Sequence, residues 1–558
     1  MPVKSRASRR TFLKTTAAGS LYAAFVMKSG CSTRSDFDIL IVNGTLCDGA
    51  GGDFQKADVG VKAGKIVAIG DLQQRSAQQF IDARDKVVAP GFIDMHSHSD
   101  IRLLVDGRGM SKILQGVTTE IVGQDGGSVA PLNERMAEQT RVALERQYGL
   151  SVDWHDFAGY FKMLAEQGTS VNLASMIGTG TLREHVIGFE DRPATDSEIA
   201  QMQQLIRESL VQGARHLSSG LEYTPGSFAS TEELGKLASV LGGNGIYSSH
   251  IRNEDDHLEE AIAEAIAVAE HGGCGLNISH LKAQGQRNWH RLDAVFSALD
   301  AAREKGRQVT FDRYPYVAYS TGLANLFPIW ARDGGSSRFV ERLQSREHAA
   351  KLREYVLDKV SALGSWNSVL ISSLGGEKYA SCVGKRLGNV AEEMRENPYQ
   401  LLLDIVIDQN GGGGMVGFGM SEENTARILA HPFGIVASDG SARAIDGPLS
   451  SGSPHPRNFG TFPRVLGYYV REQKALTLQE AVRKMTSLPA QVLGLDRRGL
   501  LKQDFWADIT VFDPNTVADR ATFAEPKQYP TGIEHVLVNG RLVVQHGEHT
   551  GEKPGTVL

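Results

Sequence analysis

Short apolar runs, separated by turns and by helical patterns, organise most of this chain. Near the start, Ile39-Leu40-Ile41-Val42, Val59-Gly60-Val61 and Ile66-Val67-Ala68-Ile69 read as strands, the last two joined across Ala63-Gly64-Lys65. Near the end, Ile509-Thr510-Val511-Phe512 is one strand, and Val536-Leu537-Val538 and Leu542-Val543-Val544 flank Asn539-Gly540, a hairpin signal. Neither end makes a good core alone, so residues 36–90 and 497–558 are expected to form one small β-domain from both termini.

Between the ends, eight apolar runs recur: Phe92–Met95, Val117–Val122, Val171–Ile177, Ala214–Ser218, Gly245–Ser249, Gly275–Ser279, Val309–Asp312 and Phe433–Ser438. Helical patterns separate most of them. The pattern after the fifth run has Asp255 and Asp256 near its start, Leu258, Ile262, Ala265, Ile266 and Ala269 at helical spacing, and Gly272-Gly273 as a stop. Eight strands alternating with helices predict an α/β fold, a TIM-like (β/α)8 barrel over residues 91–496. The gap between the seventh and eighth runs is too long for one crossover. It predicts an inserted subdomain over 317–425 that covers the barrel mouth.

Composition narrows the function classes. With 558 residues, 41% hydrophobic and 22% charged, the chain can bury a large core and is not mainly disordered. The first thirty residues hold six basic side chains (Lys4, Arg6, Arg9, Arg10, Lys14, Lys28) and no acidic one. Without them 53 basic face 65 acidic residues, a net of −12, which offers no general attraction for nucleic acid. Ser8-Arg9-Arg10-Thr11-Phe12-Leu13-Lys14, followed by a small and apolar stretch from Ala17 to Met27, resembles a twin-arginine export signal. Residues 1–31 are therefore expected to be a signal or anchor segment that engages the twin-arginine machinery and directs the chain to the periplasm or cell envelope. Ser29-Gly30-Cys31 matches the end of a bacterial lipobox, with Lys28 where that motif has an aliphatic residue, so a lipid anchor at Cys31 is a further expectation. Cys47, Cys274 and Cys382 are too dispersed for a disulfide framework.

The polar residues that end the runs carry the candidate chemistry. His96 and His98 follow the first run with the spacing of two that puts both imidazoles on one face of an extended strand. Asp125 follows the second run, His250 ends the fifth, His280 the sixth and Asp439 the eighth. Functional groups of this barrel gather at the C-terminal strand ends, so all six are expected at one mouth. Imidazoles with carboxylates suit a divalent metal, zinc first, with one or two ions.

These residues stand in motifs that resemble the amidohydrolase superfamily and, within it, the D-aminoacylase group. The superfamily pattern is Ala89-Pro90-Gly91-Phe92-Ile93-Asp94 before His-x-His. Group-level matches are Gly116-Val117-Thr118-Thr119, Ser248-Ser249-His250-Ile251-Arg252, Ser279-His280-Leu281-Lys282, Tyr314-Pro315-Tyr316 with Ser320, and Ser438-Asp439-Gly440. The most specific is His455-Pro456-Arg457 followed by Gly460-Thr461-Phe462-Pro463-Arg464. The resemblance covers about residues 36–558. It implies metal-dependent hydrolysis of N-acyl-D-amino acids, or of peptides with a C-terminal D-residue, to release the free D-amino acid. It also implies that His250 and His280 hold the tighter metal, that His96 and His98 belong to a second site, and that Asp439 is the general acid/base. Lys282, Tyr314, Ser320 and Arg457 would contact substrate, Arg457 gripping the free carboxylate through two parallel hydrogen bonds.

One position departs from the pattern. The best-known members carry a metal-bridging cysteine where this chain has Asp125. A carboxylate bridges divalent ions too, and as a harder ligand it shifts preference towards harder ions. A cyclic-amide hydrolase of the hydantoinase kind is the alternative within this chemistry, and His455-Pro456-Arg457 weighs against it. A non-catalytic exported binding protein on the same scaffold is the alternative of another class. It predicts a damaged ligand set, whereas only Asp125 is unusual here.

Overall fold

The computed structural model describes residues 35–558, so the export segment and Cys31 lie outside the described residues. Eight strands form the central barrel: β1 (Phe92–Asp94), β2 (Val117–Val122), β3 (Asn172–Ser175), β4 (Leu217–Gly220), β5 (Ile246–His250), β6 (Gly275–Ile278), β7 (Val309–Arg313) and β8 (Gly434–Val436). Each pairs in parallel with the next, the β3–β4 step being made by the short continuation Ile177–Gly178 after an interruption at Met176. A parallel bridge from Ser97 to Gly440 joins the end of β1 to the end of β8 and closes the barrel. All eight apolar runs are strands of this barrel.

Helices fill the crossovers. The segment Leu258–Gly272 between β5 and β6 buries Leu258, Ile262, Ala265 and Ala269, and ends on Gly273 in the left-handed conformation (φ 64°) that glycine adopts at no steric cost. The main core joins such helix faces to the outer faces of the strands, with Phe92 stacked on Phe462 at 5.6 Å between ring centroids.

Both chain ends contribute to a β-structure beside the barrel. Four N-terminal strands pair in the order Lys65–Gly70, Asp58–Lys62, Phe37–Val42, Ala77–Asp82. A second, seven-stranded sheet mixes the ends, with Val87–Pro90 antiparallel to Ile509–Phe512. The two sheets share a core that includes Ile39, Val61, Ile66, Ile509 and Leu537. Asn539 and Gly540 both take positive φ (48° and 74°) in the hairpin between Ile533–Val538 and Arg541–Gln545, the pairing their spacing implies.

Between β7 and β8 the chain forms a separate cluster. Strands Ala318–Gly322, Gly414–Phe418 and Val369–Ser373 make an antiparallel sheet in that order, and helices Ser336–Gln344, Ala349–Leu363, Leu387–Met394 and Pro398–Asp408 pack on it around their own apolar core. Among the described residues no helix is long and apolar enough to cross a membrane.

Candidate metal centre and the cavity around it

The six strand-end residues singled out in the sequence converge. Asp125 is central: its Oδ2 lies 3.4 Å from His96 Nε2, 3.5 Å from His98 Nε2, 3.5 Å from His280 Nε2 and 3.8 Å from His250 Nδ1. His250 Nδ1 and His280 Nε2 approach to 2.8 Å. Asp439 Oδ1 closes the other side, 3.1 Å from His98 Nε2 and 3.7 Å from His96 Nε2. The donors thus form two groups that share Asp125, one of His96, His98 and Asp439, the other of His250 and His280.

Local backbone geometry aims these groups. Asp125, His280 and Asp439 each follow a strand with positive φ (53°, 34° and 47°), a conformation that costs a non-glycine residue energy and recurs at functional sites. Gly123, two residues before Asp125, has φ 72°, and a Cβ there would meet the Met176 carbonyl oxygen at 2.2 Å. Only glycine lets β2 turn towards Asp125 at that contact.

The electrostatics favour positive charge at the centre. Burial opposes protonation of His98 and His250, yet the surrounding carboxylates overcome it: Asp125 and Asp439 lift His98 to about 9, and Glu254, Asp125 and Glu222 lift His250 to about 10. Asp439 is buried, but the charges of Arg457, His280 and His96 and the hydrogen bond from His98 hold its carboxyl well below the usual range. His96 Nε2 and Asp125 Oδ1 are buried without a hydrogen-bond partner. A divalent ion satisfies both needs, coordinating orphaned donor atoms and neutralising clustered carboxylates, so the residues fit a bound metal.

Three carboxylates that sequence reasoning passed over stand behind the imidazoles. Asp312, at the end of β7, accepts the His280 backbone N–H at 2.8 Å and lies 3.3 Å from His96 Nδ1, while Asn277 holds its other oxygen at 2.8 Å. Glu254 lies 3.1 Å from His280 Nδ1 and accepts from Lys282 Nζ. Glu222 lies 3.7 Å from His250 Nε2. Carboxylates near the far nitrogens of ligand imidazoles raise their basicity towards a metal, and at His280 Nδ1 the Lys282 ammonium, 2.7 Å away, shares that position with Glu254.

The centre opens into a cavity of about 340 Å³ lined by Lys282, Tyr314, Ser320 and Arg457, the four residues expected to face substrate, with Tyr223 and Met415 among its other walls. Ser320 and Met415 come from the segment between β7 and β8, where they stand in adjacent strands. Arg457 donates from Nη1 to Asp439 Oδ2 at 2.7 Å and lies over the Tyr314 ring, 4.8 Å from its centroid. The Tyr314 hydroxyl is buried and unpartnered at the cavity. His455 holds Arg457 in place: its Nδ1 accepts the Arg457 backbone N–H at 3.0 Å, and its Nε2 lies 2.9 Å from the Ala318 carbonyl. Burial and the Arg457 charge keep His455 neutral, far below its ordinary value. One Arg457 amino group is committed to Asp439, and the residue also lines the cavity.

The amidohydrolase family model matches residues 79–330 and 442–544. A D-aminoacylase from Alcaligenes xylosoxydans xylosoxydans is 36% identical over 528 residues, covering 94% of this chain and 98% of that relative. This chain belongs to the amidohydrolase family, in the D-aminoacylase group. An N-acyl-D-glutamate deacylase of Bordetella bronchiseptica, solved with zinc and a phosphonate inhibitor that mimics the tetrahedral intermediate, superposes with a TM-score of 0.78 at 35% identity, over 94% of this chain and 99% of that one. A D-aminoacylase whose metal centre is described as binuclear gives a TM-score of 0.77 at 34% identity, with the same coverage. Relatives of this kind support a divalent metal, the ligand that the six clustered donors fit.

Proposed function

We propose that this protein hydrolyses the amide bond of N-acyl-D-amino acids, releasing the free D-amino acid. The observation that carries the reading is the juxtaposition of the six-donor centre with Arg457 and the unpartnered Tyr314 hydroxyl in one cavity. His250, His280 and Asp125 would hold one ion, and His96, His98 and Asp439, with Asp125 shared, a second; zinc is the proposed metal. Bound there, a divalent ion supplies a water acidified to near neutrality and polarises the amide carbonyl.

The chain's own residues do the rest. Asp439 is ionised, accepts a proton from the attacking water and returns it to the leaving nitrogen, which would otherwise depart as a poor amide anion. Arg457 orients Asp439 through one amino group and turns the remainder of its fork to the substrate carboxylate, beside the Tyr314 hydroxyl and Ser320. Lys282, tied to Glu254, presents a fixed positive charge at the same cavity. With the carboxylate held on one side and the amide at the metal centre, the Cα configuration decides whether the scissile bond reaches the water. Export through the twin-arginine route, with attachment through Cys31, is proposed from residues 8–31 of the sequence.

Amine release from paired N-acetyl-D- and N-acetyl-L-amino acids tests the reading. Turnover of the D-series with none of the L-series is expected. Turnover of both at similar kcat/KM overturns the proposed role of the carboxylate clamp.

A further inference from the structure

A second pocket, also about 340 Å³, adjoins the catalytic cavity and shares Ser320, Asp439 and Arg457 with it. Arg102 and Arg443 also line it. Neither guanidinium has a carboxylate within ion-pair distance among the described residues, and each keeps a buried nitrogen without a partner, Nη1 of Arg102 and Nε of Arg443. Arg443 donates only from Nη1, to the Ser451 carbonyl at 3.3 Å, while its backbone N–H is anchored on Ser111 Oγ at 2.8 Å. Burial, and then the neighbouring Arg102 charge, pull Arg443 down to about 10. Two neighbouring cations short of acceptors and partly removed from water are relieved by an anion, and the guanidinium fork matches a carboxylate.

An amide at the metal centre has two substituents. On the proposed reading Arg457, Tyr314, Ser320 and Lys282 take the D-amino acid, and the adjoining pocket, which meets the catalytic cavity at Asp439, offers room for the acyl group. We infer that Arg102 and Arg443 bind a carboxylate at the far end of the acyl group, so that the preferred substrates are D-amino acids whose N-acyl chain is itself acidic, of the N-succinyl or N-glutaryl type. This inference rests on the deacylase reading above. The reaction is unchanged: water adds across the amide, the C–N bond breaks, and the D-amino acid leaves with a dicarboxylate in place of a simple fatty acid.

N-succinyl and N-butyryl derivatives of one D-amino acid have acyl chains of equal length and differ in the terminal charge. With the metal-loaded full chain, kcat/KM for the succinyl compound is expected to exceed that for the butyryl compound by roughly tenfold or more. R102Q and R443Q should each reduce this ratio by roughly tenfold, and R443K should restore part of it. Ser373 lies on the exposed rim of the same pocket, so S373D tests the charge without touching buried packing, and it too should lower the ratio. A ratio near one in the native protein, or one that survives both S373D and R443Q, overturns the inference while N-acetyl-D turnover leaves the deacylase reading standing. Absence of turnover with all three acyl groups overturns the deacylase reading itself, and this inference with it.

Discussion

Asp439 receives cations from both sides, Arg457 at 2.7 Å on one oxygen and His98 at 3.1 Å on the other. This keeps it ionised and aims it at the space between the imidazoles. Asp439→Asn retains the shape and an oxygen ligand but cannot accept the water's proton. Its kcat should fall by about 10²- to 10⁴-fold with metal content retained, checked by steady-state kinetics beside elemental analysis; undiminished turnover would remove the acid/base role. The carboxylates behind the ligands act on the metal instead. Glu254→Gln and Asp312→Asn should weaken metal binding by about 10- to 100-fold, read by competition with a chromophoric chelator. The sequence reveals the strand-end ligands because each is a histidine or aspartate that closes or closely follows an apolar run. Glu254 and Glu222 were not legible, since both lie in polar loop segments whose approach to an imidazole depends on a neighbouring loop. Asp312 sat in plain view at the end of the seventh run but read as the last residue of a strand. Only the fold brings it to His96 Nδ1.

At the scale of elements, the barrel closes through a buried ion cluster. Lys112 Nζ donates to Asp94 Oδ2 at 2.7 Å, Ser438 Oγ at 2.7 Å and the Gly440 carbonyl at 3.0 Å, with Glu120 at 3.4 Å. It ties β1 to the turn after β8 on both sides of Asp439. Lys112→Met leaves Asp94 and Glu120 buried without their cation and should cost about 3–5 kcal/mol, measured by chemical denaturation; a cost below 1 kcal/mol would contradict this. His216, just before β4, lies 3.2 Å through Nε2 from the Leu493 carbonyl and accepts the Ile246 N–H at 3.3 Å through Nδ1, a neutral bridge between strands and a helix end. Burial pushes it down to about 4. A depressed histidine stabilises the fold above its unfolded value near 6.5, and that stability drains as pH falls towards 4. The contribution is about 3 kcal/mol, so His216→Gln should lose less stability than the native chain between pH 6.5 and 4. Apolar runs and the Asn539-Gly540 turn were readable because each reports its own conformation. The sheet between β7 and β8 was not: Ala318 pairs with Phe418 across a long stretch of sequence, and no local pattern marks such a partner.

The whole molecule builds its cavity from pieces remote in sequence. The barrel supplies the donors, the segment between β7 and β8 supplies Ser320 and Met415, and the stretch after β8 supplies Arg457. Segments outside the strands thus complete the cavity while the strands hold the ligands, the division of labour general to this barrel. Where relatives of the group carry a bridging cysteine, the central position here is Asp125, and the four imidazoles still face it. Hydrolysis is expected to depend on a metal held by these six residues. The most direct test is to strip the protein with a chelator and add zinc back stepwise while following amine release from an N-acetyl-D-amino acid. Turnover is expected to vanish on stripping and return in step with bound metal. Full turnover by protein shown to hold no metal would contradict the account.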